Sequence, residues 1–268
     1  MISFPNSKIN IGLNIVSKRD DGYHNIETVF YPIPYKDILE ILPSQKLEVI
    51  NLGKKIDCKI EDNLCYKAYQ ILNSEFNLPP VKIILYKNVV FGSGLGSGSS
   101  DAAHTLISLN KLFDLNLDEE QLQFYASKLG ADCAFFIKNK AVFAQGLGNV
   151  FSEISLDLSG KHLMLCLPDV HVSTALAYKN CKPNMPSQSL KSLISLPLEQ
   201  WKNNIKNDFE ENLFVQFPNL QKIKHELYQK GAIYAQMSGS GSAIFGIFDS
   251  LPNLNFKNCD EIKTFILW

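Results

Sequence analysis

No stretch of about 18 consecutive apolar residues occurs in this chain, so no segment reads as a membrane-spanning helix. Its opening residues, Met1-Ile-Ser-Phe-Pro-Asn-Ser-Lys8, lack the basic-then-apolar order of a secretory signal. A soluble, cytoplasmic protein is therefore expected. Charge of either sign is also not in surplus: 26 Lys and Arg against 27 Asp and Glu leave a formal net charge of -1. With no Lys/Arg cluster, neither nucleic acid nor an anionic membrane is an expected partner, and a small anionic ligand has to be held by local geometry. The six cysteines form no CxxC pair and read as reduced, mostly buried thiols. None of the five histidines forms an H-x-x-H or H-E-x-x-H pair, so zinc has little support. No internal repeat of useful length appears.

At 268 residues with 46% hydrophobic side chains, the chain can bury roughly 70–75% of the surface of its unfolded form, which suits one large or two modest domains. The richest local signal is Gly92 to Asp101, Gly-Ser-Gly-Leu-Gly-Ser-Gly-Ser-Ser-Asp. It follows the apolar Val89-Val90-Phe91 and precedes a helical stripe of Ala102, Ala103, Leu106, Ile107 and Leu109, with Ser99, Ser100 and Asp101 as candidate caps. Glycines let main chain approach a ligand, and the unpaired N–H groups of a first helical turn favour an anion. Phosphate binding is expected at Gly92, Ser93, Gly94, Leu95, Gly96, Ser97, Gly98, Ser99 and Ser100. The run is neither a G-x-x-x-x-G-K-[ST] loop nor a G-x-G-x-x-G fingerprint.

Alternation from Ser7 to Ser17 predicts a half-buried strand, Ile9, Ile11, Leu13 and Ile15 inward and Lys8, Asn10, Gly12 and Asn14 on a polar face. Further strands are predicted over 26–33, 38–41, 48–50, 81–86, 141–144, 153–156, 162–167 and 243–248. Helices are predicted from an Asp62 cap to about Ser74, from Asp118 to about Leu129, within 190–195 and 197–202, and over 220–229. Ser159-Gly160-Lys161 is the most plausible hinge, and the second half reads as an α+β unit.

A kinase acting on an alcohol needs groups for the phosphates, a cation and a positioned base. The glycine run, Lys8 and Asp132 supply one of each, and Ser99 or Ser100 can offer a hydroxyl to Mg2+. By spacing alone, Lys8 reads as a surface lysine and Asp132 as a turn residue, Tyr23 and Tyr178 as core or surface aromatics, and Ser238–Ser242 either as a hairpin turn or as backbone amides that approach a substrate.

Three segments nevertheless carry a resemblance: Pro5-Asn-Ser-Lys8-Ile-Asn10-Ile-Gly-Leu with Arg19-Asp-Asp-Gly-Tyr23-His24; Gly94-Leu-Gly-Ser-Gly-Ser-Ser-Asp-Ala-Ala103; and Met237-Ser-Gly-Ser-Gly-Ser-Ala-Ile-Phe245. Gly130-Ala-Asp132 and Asn207-Asp-Phe-Glu fit as well. Over nearly its whole length the chain resembles the 4-diphosphocytidyl-2-C-methyl-D-erythritol kinases of the galactokinase, homoserine kinase, mevalonate kinase and phosphomevalonate kinase (GHMP) superfamily. That resemblance implies a two-domain α+β fold. The N-terminal unit, 1–158, would be like the second domain of a small-subunit ribosomal protein and carry nucleotide binding and catalysis. The C-terminal unit, 159–268, would be ferredoxin-like and bind substrate, with the active site in the cleft between them. It implies transfer of the γ-phosphate of ATP, with Mg2+, to the 2-hydroxyl of the cytidine-diphosphate-linked methylerythritol, by a monomer or weak homodimer.

Lys8 and Asp132 would be the catalytic pair and Asn10 would lie near the acceptor. Tyr23 and His24, opposed by Tyr178, would hold the cytosine. Gly94 to Ser100 would wrap the triphosphate, and Gly239, Ser240, Gly241 and Ser242 would border the substrate phosphates. The sequence departs from the family at Ser97, usually Gly, at Val90, usually Pro, and at Asn149, usually acidic. If position 97 requires positive φ, Ser97 carries strain of order 1 kcal/mol.

Overall fold

The computed structural model describes residues 1–56, 58–179, 181–252 and 255–267. Its described strands are β1 (Ile2–Ser3), β2 (Asn6–Lys18), β3 (His24–Lys36), β4 (Ile38–Pro43), β5 (Glu48–Gly53), β6 (Val81–Lys87), β7 (Val142–Gly146), β8 (Val150–Glu153), β9 (His162–Leu167), β10 (Tyr234–Met237), β11 (Ile244–Phe248) and β12 (Glu261–Ile266). Its α-helices are α1 (Leu64–Phe76), α2 (Ser97–Leu112), α3 (Glu119–Ser127), α4 (Phe135–Lys138), α5 (Thr174–Tyr178), α6 (Leu190–Leu193), α7 (Leu198–Asn204), α8 (Phe209–Gln216) and α9 (Pro218–Gln229).

Two compact units are formed. One comprises Met1–Ser7, Pro34–Phe91 and Gly96–Lys140; the other comprises Lys8–Ile33, Gly92–Leu95 and the described residues from Ala141 onward. The chain thus passes between units several times instead of breaking once near Ser159, because the long β2 and β3 join a sheet with β7 and β8.

In the first unit, a sheet of order β1-β4-β6-β5 packs against the central helix α2, which also contacts α1, α3 and α4. β6 alternates as expected, burying Val81, Ile83 and Leu85, each worth roughly 1.5–3 kcal/mol relative to exposure. Asp118 opens α3 through a full capping box with Gln121, as its sequence predicts. The cap of α1 is Asn63, not Asp62: the Asn63 side chain accepts from Cys65 N, while Asp62 lies in the preceding 3₁₀ turn.

In the second unit, one sheet has order β2-β3-β7-β8 and the other β10-β11-β9-β12, the latter wholly antiparallel. α9 buries Leu220, Ile223 and Leu227 at three- and four-residue spacing, against a core that includes Ile15, Met164 and Leu213. Here the polar face predicted for β2 is corrected. Lys8, Asn10 and Asn14 are buried with the aliphatic residues, because both edges and both faces of β2 are covered. Leu13 exchanges main-chain bonds with Lys206 and Asp208, and Gly12 N–H donates to Gln236 Oε1 at 2.6 Å. The predicted strand over 153–156 ends at Glu153. α5 and α8 were not foreseen; both are short, and α8 has little amphipathic character.

Candidate active site

Lys8 stands on β2 with its ammonium buried. Lys8 Nζ donates to Asn10 Oδ1 at 2.5 Å and to Gly94 O at 3.2 Å, and lies 4.8 Å from the centre of the Phe30 ring. Asn10 is itself fixed: its amide donates to Thr28 Oγ1, and Thr28 Oγ1 donates to Gly12 O. Both hydrogen bonds recruit residues of the β2–β3 sheet to aim one side chain.

The two glycine-serine segments meet in the same unit. Ser238 Oγ donates to Gly94 O at 2.9 Å, and Ala243 N–H donates to Ser93 O at 3.1 Å. Lys8 N–H donates to Leu95 O at 3.0 Å. Gly94 has φ +79, and a Cβ there would lie 2.1 Å from Ser238 O, so only glycine permits this approach. Asn207 Nδ2 braces the second loop by donating to Met237 O and Gly239 O. Ser240 Oγ lies 3.5 Å from Thr174 Oγ1, and Gly241 is buried beside it. Ser238–Ser242 is therefore more than a hairpin turn.

The helix begins inside the glycine run. Gly96, at φ 68, is the cap of α2, and the cap makes no side-chain hydrogen bond. Ser99, Ser100 and Asp101 are accordingly not caps, as their position suggested, but lie within the helix. The amides of Ser97, Gly98 and Ser99 precede the first intrahelical donor, Ser100 N–H, which bonds Gly96 O at 3.0 Å. Ser97 is not among the positive-φ residues, so the conditional strain does not arise: glycine is needed at 94 and 96, not at 97.

In the first unit, the Ser99 hydroxyl bonds the Cys133 thiol, which burial pushes up to about 12 with a further upward push from Asp132. This brings the half-buried Asp132 of the turn after α3 near the first turn of α2. The Ser100 hydroxyl is fully buried and has no protein partner. Of the proposed base-holding aromatics, His24 and Tyr178 stack with centroids 4.9 Å apart and planes 15° apart, and Tyr178 packs edge-on to Phe209. Burial, then the Lys18 charge, lowers the His24 pKa. Tyr23 stands exposed beside them.

A feature the sequence reading missed lies in the first unit. A cavity of about 110 Å³ opens between α1, β6 and the start of α2, lined by Leu64, Cys65, Leu85, Phe91 and Gly98 with one polar wall of Lys87 and Asp101. Lys87 Nζ donates to Asp37 Oδ2 at 2.5 Å and to Asp101 Oδ2 at 2.6 Å, all three side chains being buried. Burial disfavours the Lys87 charge, but Asp101 and Asp37 outweigh it and the pKa is raised. Burial also raises Asp101, against the pull of Lys87. The signal was present: in the alternation Val81, Ile83, Leu85, Lys87, the lysine falls on the buried face.

Comparison with known proteins gives the family. Residues 63–140 match the GHMP kinases N terminal domain, and 188–256 match the GHMP kinases C terminal family. A 4-diphosphocytidyl-2-C-methyl-D-erythritol kinase of Bacteroides fragilis is 56% identical over 264 residues, covering 96% of each chain. One of Parabacteroides distasonis is 47% identical over 100% of this chain and 98% of that protein. A crystal structure of 4-(cytidine 5'-diphospho)-2C-methyl-D-erythritol kinase superposes with a TM-score of 0.77 at 29% identity, covering 92% of this chain and 90% of that one. The mevalonate kinase of Methanococcus jannaschii shares the fold, with a TM-score of 0.65 at 15% identity.

Proposed function

The chain belongs to the 4-diphosphocytidyl-2-C-methyl-D-erythritol kinases of the GHMP family, and from that premise we propose how its residues divide the reaction. It transfers the γ-phosphoryl group of ATP to the 2-hydroxyl of 4-diphosphocytidyl-2-C-methyl-D-erythritol, giving the 2-phosphate and ADP for isoprenoid precursors. The observation that carries the site assignment is the Lys8 ammonium, buried and turned by Asn10 Oδ1 and Gly94 O toward the glycine run.

Transfer is direct and in line, with no phosphoenzyme. Asp132 orients the tertiary alcohol on carbon 2 and receives its proton late, since a loose transition state demands little early activation of the nucleophile. Lys8 stabilises charge on the transferring group, and Asn10 borders the acceptor. The amides at the start of α2, with Gly92 to Ser100, hold the triphosphate. The cavity beside them takes the adenine: it has room for one planar bicyclic ring but not for a whole nucleotide. On the acceptor side, Tyr23, His24 and Tyr178 hold the cytosine, and Gly239, Ser240 and Gly241 border the diphosphate. Nucleotide binding and catalysis draw on residues of 1–158, and the acceptor is held by Asn10, Tyr23 and His24 from that stretch with Tyr178 and 239–241 from 159–268.

The described residues contain no group of three or more His, Cys, Asp or Glu able to hold a metal ion. Mg2+ favours oxygen ligands and usually binds through substrate phosphates with only one or two protein groups. The orphaned Ser100 hydroxyl and its neighbour Ser99 fit that limited role. Bound there, the ion would neutralise charge on the phosphates. No helix among the described residues is long and apolar enough to cross a membrane, and we place the enzyme in the cytoplasm as a monomer or weak homodimer. A panel of acceptor alcohols with ATP, read by ADP release, tests the assignment: turnover is expected with the cytidine diphosphate acceptor, and use of mevalonate or homoserine in its place would overturn it.

A further inference from the structure

The sheet of the first unit is covered by helix on one face. There β4 buries Leu39 and Ile41 and β6 buries Val81, Ile83 and Leu85, with α2 packed on β4 and β1. The alternate residues point the other way, and the ladder sets them side by side. Ile38 on β4 pairs with Tyr86 on β6, and Tyr86 pairs with Leu52 on β5. In the next row Ile2 on β1 pairs with Glu40, Glu40 with Ile84, and Ile84 with Ile50. Leu42 continues this face on β4, and Phe4 lies two residues beyond Ile2. The exposures are large: Ile2 59%, Phe4 55%, Leu52 48% and Tyr86 47%. The outer face of a solvated antiparallel pair is normally polar, and here that alternation fails on every strand of the sheet. At about 150–200 Å² for each large side chain, the exposed fractions amount to about 500–650 Å² of mostly apolar surface. The largest patch on a typical monomer is about 300–600 Å².

We infer that two copies of this chain associate through this face, their sheets stacked about a two-fold axis. Area, charge and shape all favour a second copy as the occupant. A standard interface takes about 800 Å² from each partner, and contacts between identical subunits are the more apolar class. The apolar rows, with Glu40, Glu48 and Lys82 among them, supply most of that. A two-fold contact sets a patch against itself, so a patch of one charge sign would repel its own copy. On this face and in the turn before β5, Glu40 and Glu48 stand against Lys46 and Lys82, with Glu48 3.0 Å from Lys46 and 3.2 Å from Lys82. That balance suits a copy. It gives none of the basic excess that an anionic membrane or a nucleic acid would require. Stacked sheets lie about 10 Å apart and fill the gap with large side chains from both inner faces. Two copies each bring Tyr86, Leu52, Ile38 and Ile2 to that layer. None of these residues is among those assigned to phosphoryl transfer, so each copy keeps its own site.

Sedimentation equilibrium of the full chain over a dilution series tests this. The parent is expected at twice the monomer mass at micromolar concentration. Its melting temperature should rise with protein concentration, because association stabilises the folded state by mass action. Tyr86→Glu and, separately, Leu52→Lys each bring a charge into the middle of the contact. Each is expected to raise the dissociation constant about a hundredfold or more, since a charge buried without a partner is costly. Both side chains are half exposed in a single copy, so circular dichroism and kcat should stay at the parent's level. Val215→Glu, on α8 of the other unit and 79% exposed, should leave the dimer as it is. A parent that sediments as a monomer throughout overturns the inference, whatever other protein or lipid its face then binds. A dimer left equally tight by both Tyr86→Glu and Leu52→Lys overturns it too. So does a dimer that Val215→Glu weakens as much as they do, which would place the contact elsewhere.

Discussion

Each compact unit buries a lysine on a strand, Lys87 on β6 and Lys8 on β2, and each is aimed by a different kind of neighbour. Lys87 lies between two carboxylates, each within 2.6 Å, so its charge is committed to the protein. Lys8 is oriented by an amide oxygen and a main-chain carbonyl. Those two oxygens fix the direction of the ammonium toward the glycine run. Lys224, in the second unit, has one such carboxylate partner, Glu210, at 2.6 Å.

Replacing each lysine by Met separates the two roles. Lys87→Met leaves two buried carboxylates without their counter-ion and should cost about 3–5 kcal/mol of stability by denaturant unfolding. Lys8→Met takes the donor from Asn10 Oδ1 and Gly94 O and should cost about 1–3 kcal/mol. Turnover reverses that order. Lys8→Met, and likewise Asp132→Ala, should lower kcat by about a hundredfold or more while nucleotide binding, followed by titration, changes little. Near-parental turnover in folded Asp132→Ala would remove it from the chemistry.

A smaller effect is expected at the stacked rings of His24 and Tyr178. Tyr178→Ala should raise the KM of the acceptor several-fold and leave that of ATP, whereas Tyr178→Phe keeps the stack with His24 and should stay near the parent; stacking is worth about 0.5–1.5 kcal/mol. Glu210 supplies a pH-dependent case. Burial raises its pKa, with Lys224 and the Met237 amide opposing. The folded state thus holds this proton more tightly than the unfolded one, and stability falls as pH rises from the ordinary carboxylate range, near 4.5, toward the raised value. Glu210→Gln cannot titrate, so its melting temperature should gain on the parent across that window, and a constant difference would contradict the shift. Smallest of all, Ser97→Gly relieves no strain, because Ser97 is helical. It should destabilise by about 0.5 kcal/mol, as glycine does near a helix start, and a stabilised variant would contradict the assigned backbone.

Much of the first unit was legible because its elements are locally encoded. The capping box at Asp118 lies within four residues, and β6 announces itself by alternation. The helix after the glycine run was also legible, though its start was misread: Ser99, Ser100 and Asp101 are good cap formers by type, and Gly96 took the position because αL backbone favours glycine. β2 was harder. Its polar residues alternate as on a solvated face, and only Gln236, Lys206 and Asp208, some two hundred residues away, show that the face is buried. The Asp37, Lys87 and Asp101 cluster joins three segments none of which carries a motif for it.

By itself the sequence determined what depends on neighbours along the chain: the glycine run and its helix, the strand alternation, and the motifs that mark a GHMP kinase. Tertiary structure alone decided which polar groups lose water. Burial turns Lys8 from a strand lysine into an aimed cation and draws Asp101, a helix aspartate, into a cluster with Lys87 and Asp37. The reason is that desolvation depends on what packs around a group in space, and that is set by contacts between segments that no local pattern records.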